Sequence, residues 1–142
     1  MAVAHKFEEE EVTRELETLA ALARHPTVVV GPDVTIAEVR MRFIDERAAA
    51  ILVVDGDDNL LGILTRTDAL RADPDALARD ALSGVVFVLP VYASVERAAA
   101  LMAYENVGQV VVTDGAGALV GVVSAIDVVR HYAVSSGYLV AD

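Results

Sequence analysis

The stretch GILTRTD, from Gly62 to Asp68, has a counterpart in GVVSAID, from Gly121 to Asp127. Both run glycine, two apolar residues, a hydroxyl residue, two further residues and aspartate. Working outward from this pair, Thr35 to Ala72 aligns without a gap on Ser94 to His131, at a constant offset of 59 positions (94 minus 35). The identical pairs are Glu46 and Glu105, Val53 and Val112, Asp55 and Asp114, Gly56 and Gly115, Leu60 and Leu119, Gly62 and Gly121, Asp68 and Asp127, and Arg71 and Arg130. Several fall at turns and element ends, and most positions between them agree in polarity. The chain therefore carries an internal repeat.

Each repeat reads helix, strand, strand, helix, preceded by an extended apolar segment. Thr35 and Glu38 have capping-box spacing, and Ile36, Val39, Phe43 and Ile44 follow the spacing of one buried helical face. That helix is expected to end near Arg47. AAAILVVD (Ala48 to Asp55) and LLGILT (Leu60 to Thr65) read as strands joined by a turn, because Asp-Gly between apolar runs favours a hairpin. A short helix over 66–72 closes the unit. In the second repeat Val95, Ala98, Met102 and Ala103 mark the helical face, VGQVVVTD and LVGVVS the strands, and 125–132 the closing helix. TVVVG (Thr27 to Gly31) and VVFVL (Val85 to Leu89) are the lead-in strands. The connector ADPDALARDALS (Ala72 to Ser83) is expected to hold a helical turn of its own.

Ahead of the repeats, FEEEEVTRELETLAALAR (Phe7 to Arg24) reads as an amphipathic helix with Val12, Leu16, Leu19 and Ala23 on one side. Its run Glu8 to Glu11 reads first as a solvated, dipole-favoured first turn, with a docking surface for a basic partner as the alternative. The tail AVSSGYLVAD (Ala133 to Asp142) shows no clear pattern. The organisation expected is thus an N-terminal acidic helix over 1–24, a first repeat over 25–72, a connector over 73–84, a second repeat over 85–132 and a tail over 133–142.

With 142 residues, of which 55% are hydrophobic, the chain suffices for one compact domain or two small halves. Its longest apolar stretches fall well short of the roughly 18 residues that cross a bilayer. The acidic N-terminus is not that of a secretory signal, and there is no cysteine. A soluble, cytoplasmic protein is expected. The net charge of −11 opposes binding to nucleic acid and to anionic membranes, while leaving open a small anionic ligand held by local arginines and amides.

The repeated Gly-x-x-Thr/Ser-x-x-Asp motif, together with PDVT (Pro32 to Thr35), the strand-turn unit ILVVDGDDNLLG and the doubled helix-strand-strand-helix order, resembles a tandem pair of CBS domains, also called a Bateman module. The resemblance spans about residues 20 to 132. It implies an α/β (α+β) fold of two pseudo-two-fold-related β-α-β-β-α repeats packed sheet to sheet. It also implies clefts between the repeats for an adenosyl ligand such as AMP, ADP, ATP or S-adenosylmethionine. Carried over by motif, Asp68 and Asp127 accept from the ribose hydroxyls, with Thr65 and Ser124 as hydroxyl partners near the ribose and phosphate. An ionised carboxylate is acceptor-only and suits a vicinal diol, and the adjacent helix N-terminus offers amides to a phosphate. The adenine segments implied are Thr27, Val28, Val29 with Ala48, Ala49, Ala50, and Val86, Phe87, Val88 with Val107, Gly108, Gln109. Arg66 is a candidate phosphate contact that the second repeat, with Ala125, lacks, so the first cleft is expected to favour a phosphorylated ligand. The sequence departs from the family's habits at Leu52 and Val111, where proline is common, and at Arg47 and Asn106, where glycine is common.

The resemblance implies a stand-alone regulatory module that senses an adenosyl ligand and signals to a partner protein in trans, and a homodimer is expected because such modules usually pair. A dimerisation or interaction scaffold with vestigial clefts is the alternative. Catalysis is not expected, for no nucleophile and base pair or phosphate-cradling loop is present. No metal site is expected either: DGDDN (Asp55 to Asn59) starts like a calcium loop but has Leu60 and Arg66 where glycine and glutamate are needed. His5, His25 and His131 are dispersed. Ser or Thr three residues before an acid is also a capping box, so the motif has a purely local reading beside the functional one. Arg71 and Arg130 read as helix C-terminal charges, and Met41 and Met102 as packing residues.

Overall fold

The structure is a computed structural model and describes residues 17–23 and 27–140. Two three-stranded sheets alternate with helices, and the chain divides into two compact units. One is His25–Val88, and the other joins Met1–Arg24 to Leu89–Asp142.

In the first unit, strand β1 (Val29–Val30) runs parallel to β2 (Ile51–Val54), which pairs antiparallel with β3 (Leu60–Leu64). Helix α1 (Ile36–Glu46) precedes β2, and α2 (Arg66–Arg71) follows β3. The second unit repeats this with β4 (Val88–Pro90), α3 (Val95–Glu105), β5 (Gln109–Thr113), β6 (Leu119–Ser124) and α4 (Ala125–Ser135). Its strand order is β4-β5-β6, with β5 and β6 antiparallel. The mixed α/β class expected from the sequence is the observed one.

Each unit has its own apolar core. Val28, Val39, Phe43, Ile51, Val53 and Leu64 form one, and Leu19, Leu89, Val95, Met102, Val110, Val112 and Val123 the other. Two positions assigned to buried helical faces are instead exposed, Ile44 at 69% and its counterpart Ala103. Each lies about 100° around its helix from Phe43 or Met102, which already close the buried stripe. Met41 is exposed as well, whereas Met102 is buried as expected.

The N-terminal helix expected over Phe7 to Arg24 lies largely outside the described residues. Within them the chain is not α-helical: Thr18 is extended, and Leu19–Ala21 is a single 3-10 turn. This segment packs beside residues 91–95, through Leu19 N to Ala93 O (3.0 Å), Ala20 N to Val91 O (3.2 Å) and Val95 N to Glu17 O (3.4 Å). The helical turn expected in the connector is present at Ala78–Asp80 and makes the matching bonds in the first unit. These are Ala78 N to Val34 O (2.7 Å), Arg79 N to Pro32 O (3.1 Å) and Ile36 N to Ala76 O (2.8 Å). Every donor and acceptor is shifted by the same 59 positions, and so are the bridges Thr18–Ser94 and Thr35–Leu77. The segment that precedes each repeat in sequence therefore completes the unit of the other repeat. At the chain's end, α4 runs three residues beyond the expected Tyr132, and Gly137 at φ 91° turns the chain after it.

The hairpins are built by Asp55 and Asp114. Asp55 Oδ1 accepts from the amides of Asp57 (2.9 Å) and Asn59 (3.0 Å), and Asp114 Oδ1 from those of Ala116 (2.8 Å) and Ala118 (2.9 Å). These amide bonds, Asn59's first, hold the Asp55 carboxyl below its ordinary value. The left-handed residue of each turn is Asp58 (φ 62°) or Gly117 (φ 86°), so the glycine of Asp55-Gly56 is not the one that makes the turn. Where α1 and α3 end, Arg47 (φ 50°, ψ 36°) and Asn106 (φ 55°, ψ 47°) take the left-handed conformation. That is the physical reason for glycine being suited to this corner. Replacing Arg47 by glycine is expected to stabilise the protein by about 1 kcal/mol. Asn106→Gly should gain less, since asparagine tolerates that region better. Urea unfolding of the two variants checks the order.

Candidate functional site

The strand register decides which residues meet. Val29 stands opposite Leu52, which stands opposite Ile63, and Ile51 is opposite Leu64. Two rows further along, Thr27, Ala50 and Thr65 come to the same end of the sheet. Three pieces distant in sequence, 27–29, 48–50 and 65–68, are thereby gathered. In the second unit Gln109 opposite Ser124 sets Val107–Gln109 beside the second motif in the same way.

The hydroxyl–acid motif is a full capping box in both repeats. Thr65 Oγ1 accepts from the Asp68 amide (3.2 Å) and donates to Asp68 Oδ2 (2.8 Å), which also accepts from the Thr65 amide (2.8 Å). Ser124 and Asp127 repeat this, with 2.8 Å for both bonds to Asp127 Oδ2 and 3.3 Å for the amide of Asp127 to Ser124 Oγ. Ser124 is the one polar residue that is buried as a whole among the described residues.

The two carboxylates differ in what else reaches them. Asp68 Oδ2 accepts a third hydrogen bond, from Ser83 Oγ at 2.5 Å. Arg130 Nη1 lies 3.9 Å from Asp127 Oδ1. Burial pushes the Asp68 carboxyl up, but hydrogen bonds from Ser83 and from the Thr65 amide and hydroxyl, together with the charge of Arg71, leave it below its ordinary value of 3.8.

Arg66 does not stand free for a phosphate: its Nη2 donates to the Ala48 carbonyl at 3.0 Å, tying the motif to the 48–50 segment. At the matched position the Ala125 amide donates to the Gly108 carbonyl at 2.8 Å, tying the second motif to 107–109. A side chain makes the tie in the first repeat and a backbone amide in the second, to carbonyls one position out of register. Val28 O accepts from the Leu52 amide (3.0 Å), a bond that proline at position 52 would remove. Thr27 Oγ1 is buried and has no hydrogen-bond partner among the described residues. Such groups are rare, and each carries a desolvation cost unless another molecule meets it. Among the 86–88 residues, Val88 is an exposed first residue of β4, and Val86 and Phe87 precede the strand.

The motif glycines have a structural role. Register shifts at Val53/Val54 and Val112/Thr113 leave Leu61 and Val120 as bulge residues immediately before Gly62 and Gly121. At Gly62 a Cβ would come within 3.0 Å of the Leu82 side chain. The close neighbour is the chain's own connector.

Sequence reasoning did not find Ser83, Leu82 or Arg40. Arg40 Nε and Nη2 donate to the carbonyls of Ala69 and Ala72, both at 2.8 Å, capping the C-terminus of α2. Position 99 in the other repeat is alanine, and α4 runs on. His131 pairs with Glu17 at 2.8 Å instead of meeting the motif, while His25 lies outside the described residues. Among the described residues no group of three or more His, Cys, Asp or Glu could hold a metal ion, and no helix is long and apolar enough to cross a membrane.

The family model for the CBS domain matches this chain twice, over residues 19–75 and 78–134. The chain belongs to the CBS-domain family. Comparison with curated proteins gives no match. A CBS-domain-containing protein from Agrobacterium tumefaciens has a TM-score of 0.75 at 24% identity, with 82% of this chain and 94% of that chain covered. The CBS-domain pair of protein MJ0100, in complex with 5′-methylthioadenosine and S-adenosyl-L-methionine, has a TM-score of 0.77 at 20% identity, covering 84% and 98%. The cytosolic domain of the Mg2+ channel MgtE, in complex with ATP, has a TM-score of 0.63 at 31% identity; 74% of this chain is covered, but only 44% of that one.

Because the folded Asp68 carboxylate binds its proton less readily than the unfolded one, its contribution to stability is complete above about pH 5 and lost as pH falls through 3.8 toward the folded value. Asp68→Ala is expected to cost about 1–2 kcal/mol at pH 7. The gap to the wild type should narrow below about pH 4, read by urea unfolding along a pH series.

Proposed function

We propose that this tandem CBS pair is a regulatory module that binds an adenosyl ligand and passes its occupancy to a protein partner in trans. The observation that carries this reading is the unpartnered, buried Thr27 Oγ1, held at the same sheet end as Thr65 and Asp68. A buried hydroxyl with no partner among the described residues, beside an ionised acceptor and a helix N-terminus, suits a molecule that carries both hydroxyl and ring-nitrogen groups.

Thr27 to Val29 and Ala48 to Ala50 would hold the adenine of a ligand at the first repeat, with Thr65 and Asp68 at its ribose. Val86 to Val88, Val107 to Gln109, Ser124 and Asp127 would serve the second. Arg66, released from Ala48, is in reach of a phosphate group. The ligands of the MJ0100 pair and of the MgtE domain support the adenosyl class and leave its member open between a nucleotide and S-adenosylmethionine. The output acts through another protein, and the module itself is regulatory, not catalytic. The acidic, cysteine-free sequence supports a cytoplasmic location and independence of nucleic acid and membrane. A homodimer is supported by exposed apolar side chains on the helices, including Met41, Ile44 and Leu70 in one unit and Ile126 and Val129 in the other.

The scaffold reading is favoured by one observation: in both repeats hydroxyl and carboxylate already satisfy each other as a cap. A thermal-shift panel of AMP, ADP, ATP and S-adenosylmethionine separates the two. A ligand at 100 times its dissociation constant adds about 2.7 kcal/mol. A rise in melting temperature with one of the four, abolished or halved in Asp68→Ala and Asp127→Ala, is the expected result. Four flat traces at millimolar concentration leave the scaffold.

A further inference from the structure

The connector does more at the first motif than join two repeats. The Ser83 amide donates to the Ile63 carbonyl at 3.0 Å, so the connector's end lies along the edge of β3. Leu82 lies over Gly62, and Ser83 Oγ reaches Asp68 Oδ2 at 2.5 Å. That oxygen already accepts from the Thr65 amide and hydroxyl. One carboxylate oxygen has two lone-pair directions, and here three donors converge on it. Among the described residues, hydrogen bonds to Asp127 come from Ser124 alone. The sequence position that matches Ser83 is Arg24, which has no hydroxyl and lies outside the described residues.

We propose that Ser83 is an internal competitor at Asp68: its hydroxyl holds the acceptor that a ribose diol would take, so ligand binding at the first repeat displaces Ser83 and releases the connector's end from β3. The inference rests on the adenosyl reading above and names the regulation of that same site. The exchange is one donor for another at the same anion, so Asp68 stays satisfied in both states. What changes is the connector, which loses its side-chain tie and with it the support of the Ser83–Ile63 bond. Occupancy is thereby converted into order or disorder of the segment between Leu82 and β4.

AMP is the probe, titrated calorimetrically into the full chain as wild type, Ser83→Ala, Ser83→Thr and Ser83→Ala with Asp68→Ala. Ser83→Ala should bind AMP about ten-fold more tightly at one class of site, the low end of the worth of a hydrogen bond to a charged acceptor. Ser83→Thr, which keeps the hydroxyl, should return to wild-type affinity, and the double variant should lose the improved class. In the wild type, hydrogen exchange at the Ser83 amide should quicken about ten-fold on saturation with AMP. Binding by Ser83→Ala where the wild type shows none supports the proposal as well. It is overturned if the wild type binds AMP and Ser83→Ala binds it no better, or if the Ser83 amide becomes more protected with AMP. If no form binds AMP, ATP or S-adenosylmethionine, the adenosyl reading fails and this proposal fails with it.

Discussion

The structure depends on a backbone exchange between the segments that precede the two repeats. A helix starting at the end of a sheet leaves its first amides without partners inside the helix, and burial makes that costly. For α1 the accounting closes: Ile36 N goes to Ala76 O, Ala37 N to Pro74 O, and Glu38 N to Thr35 Oγ1. For α3, Val95 N goes to Glu17 O and Arg97 N to Ser94 Oγ. The acceptors for Ile36, Ala37 and Val95 come from the chain just ahead of the other repeat, while Thr35 and Ser94 cap their own helices. Neither repeat is self-sufficient as a stretch of sequence, which is why the compact units are His25–Val88 and the two flanking pieces together.

This exchange was invisible in the sequence for a physical reason. Backbone groups carry the bonds, so Glu17, Thr18 and Leu19 occupy the same slots as Ala76, Leu77 and Ala78 without sharing side-chain character. Only the buried pair Leu19 and Ala78 even agree in being apolar. Where side chains do the work, the sequence was legible: Thr35 as a cap, the hairpin turn that follows Asp55, and the helix end at Arg47. Helical faces were legible to within one position, failing at Ile44 and Ala103 because a narrow stripe suffices against a single sheet.

The candidate site shows the same division. Asp68, Asp127 and their hydroxyl partners were readable because a capping box has fixed spacing. The gathering of Thr27 and Ala50 to that sheet end needs the register, which the parallel pairing of β1 and β2 sets. At Gly62 the close neighbour is Leu82, twenty residues on in the same chain, which the motif spacing alone did not reveal. Ser83 left no signal at all, since the repeat offset pairs it with an arginine.

A cap and a ligand clamp draw on the same lone pairs, and that sets the terms for any sensing at Asp68. Were the carboxylate unpartnered, a diol would gain a full charge-assisted pair of bonds, and the chain would carry the cost of an unmet anion without it. Held by Thr65 and Ser83, the anion is met already, and a ligand would gain only the difference between its own donors and the Ser83 hydroxyl. Affinity would fall, and in exchange the lost bond would lie in the connector instead of in solvent. A ligand shifts a conformational equilibrium only through unequal affinity for its two states. An internal donor that had to leave would supply that inequality at the atom where such a ligand would bind.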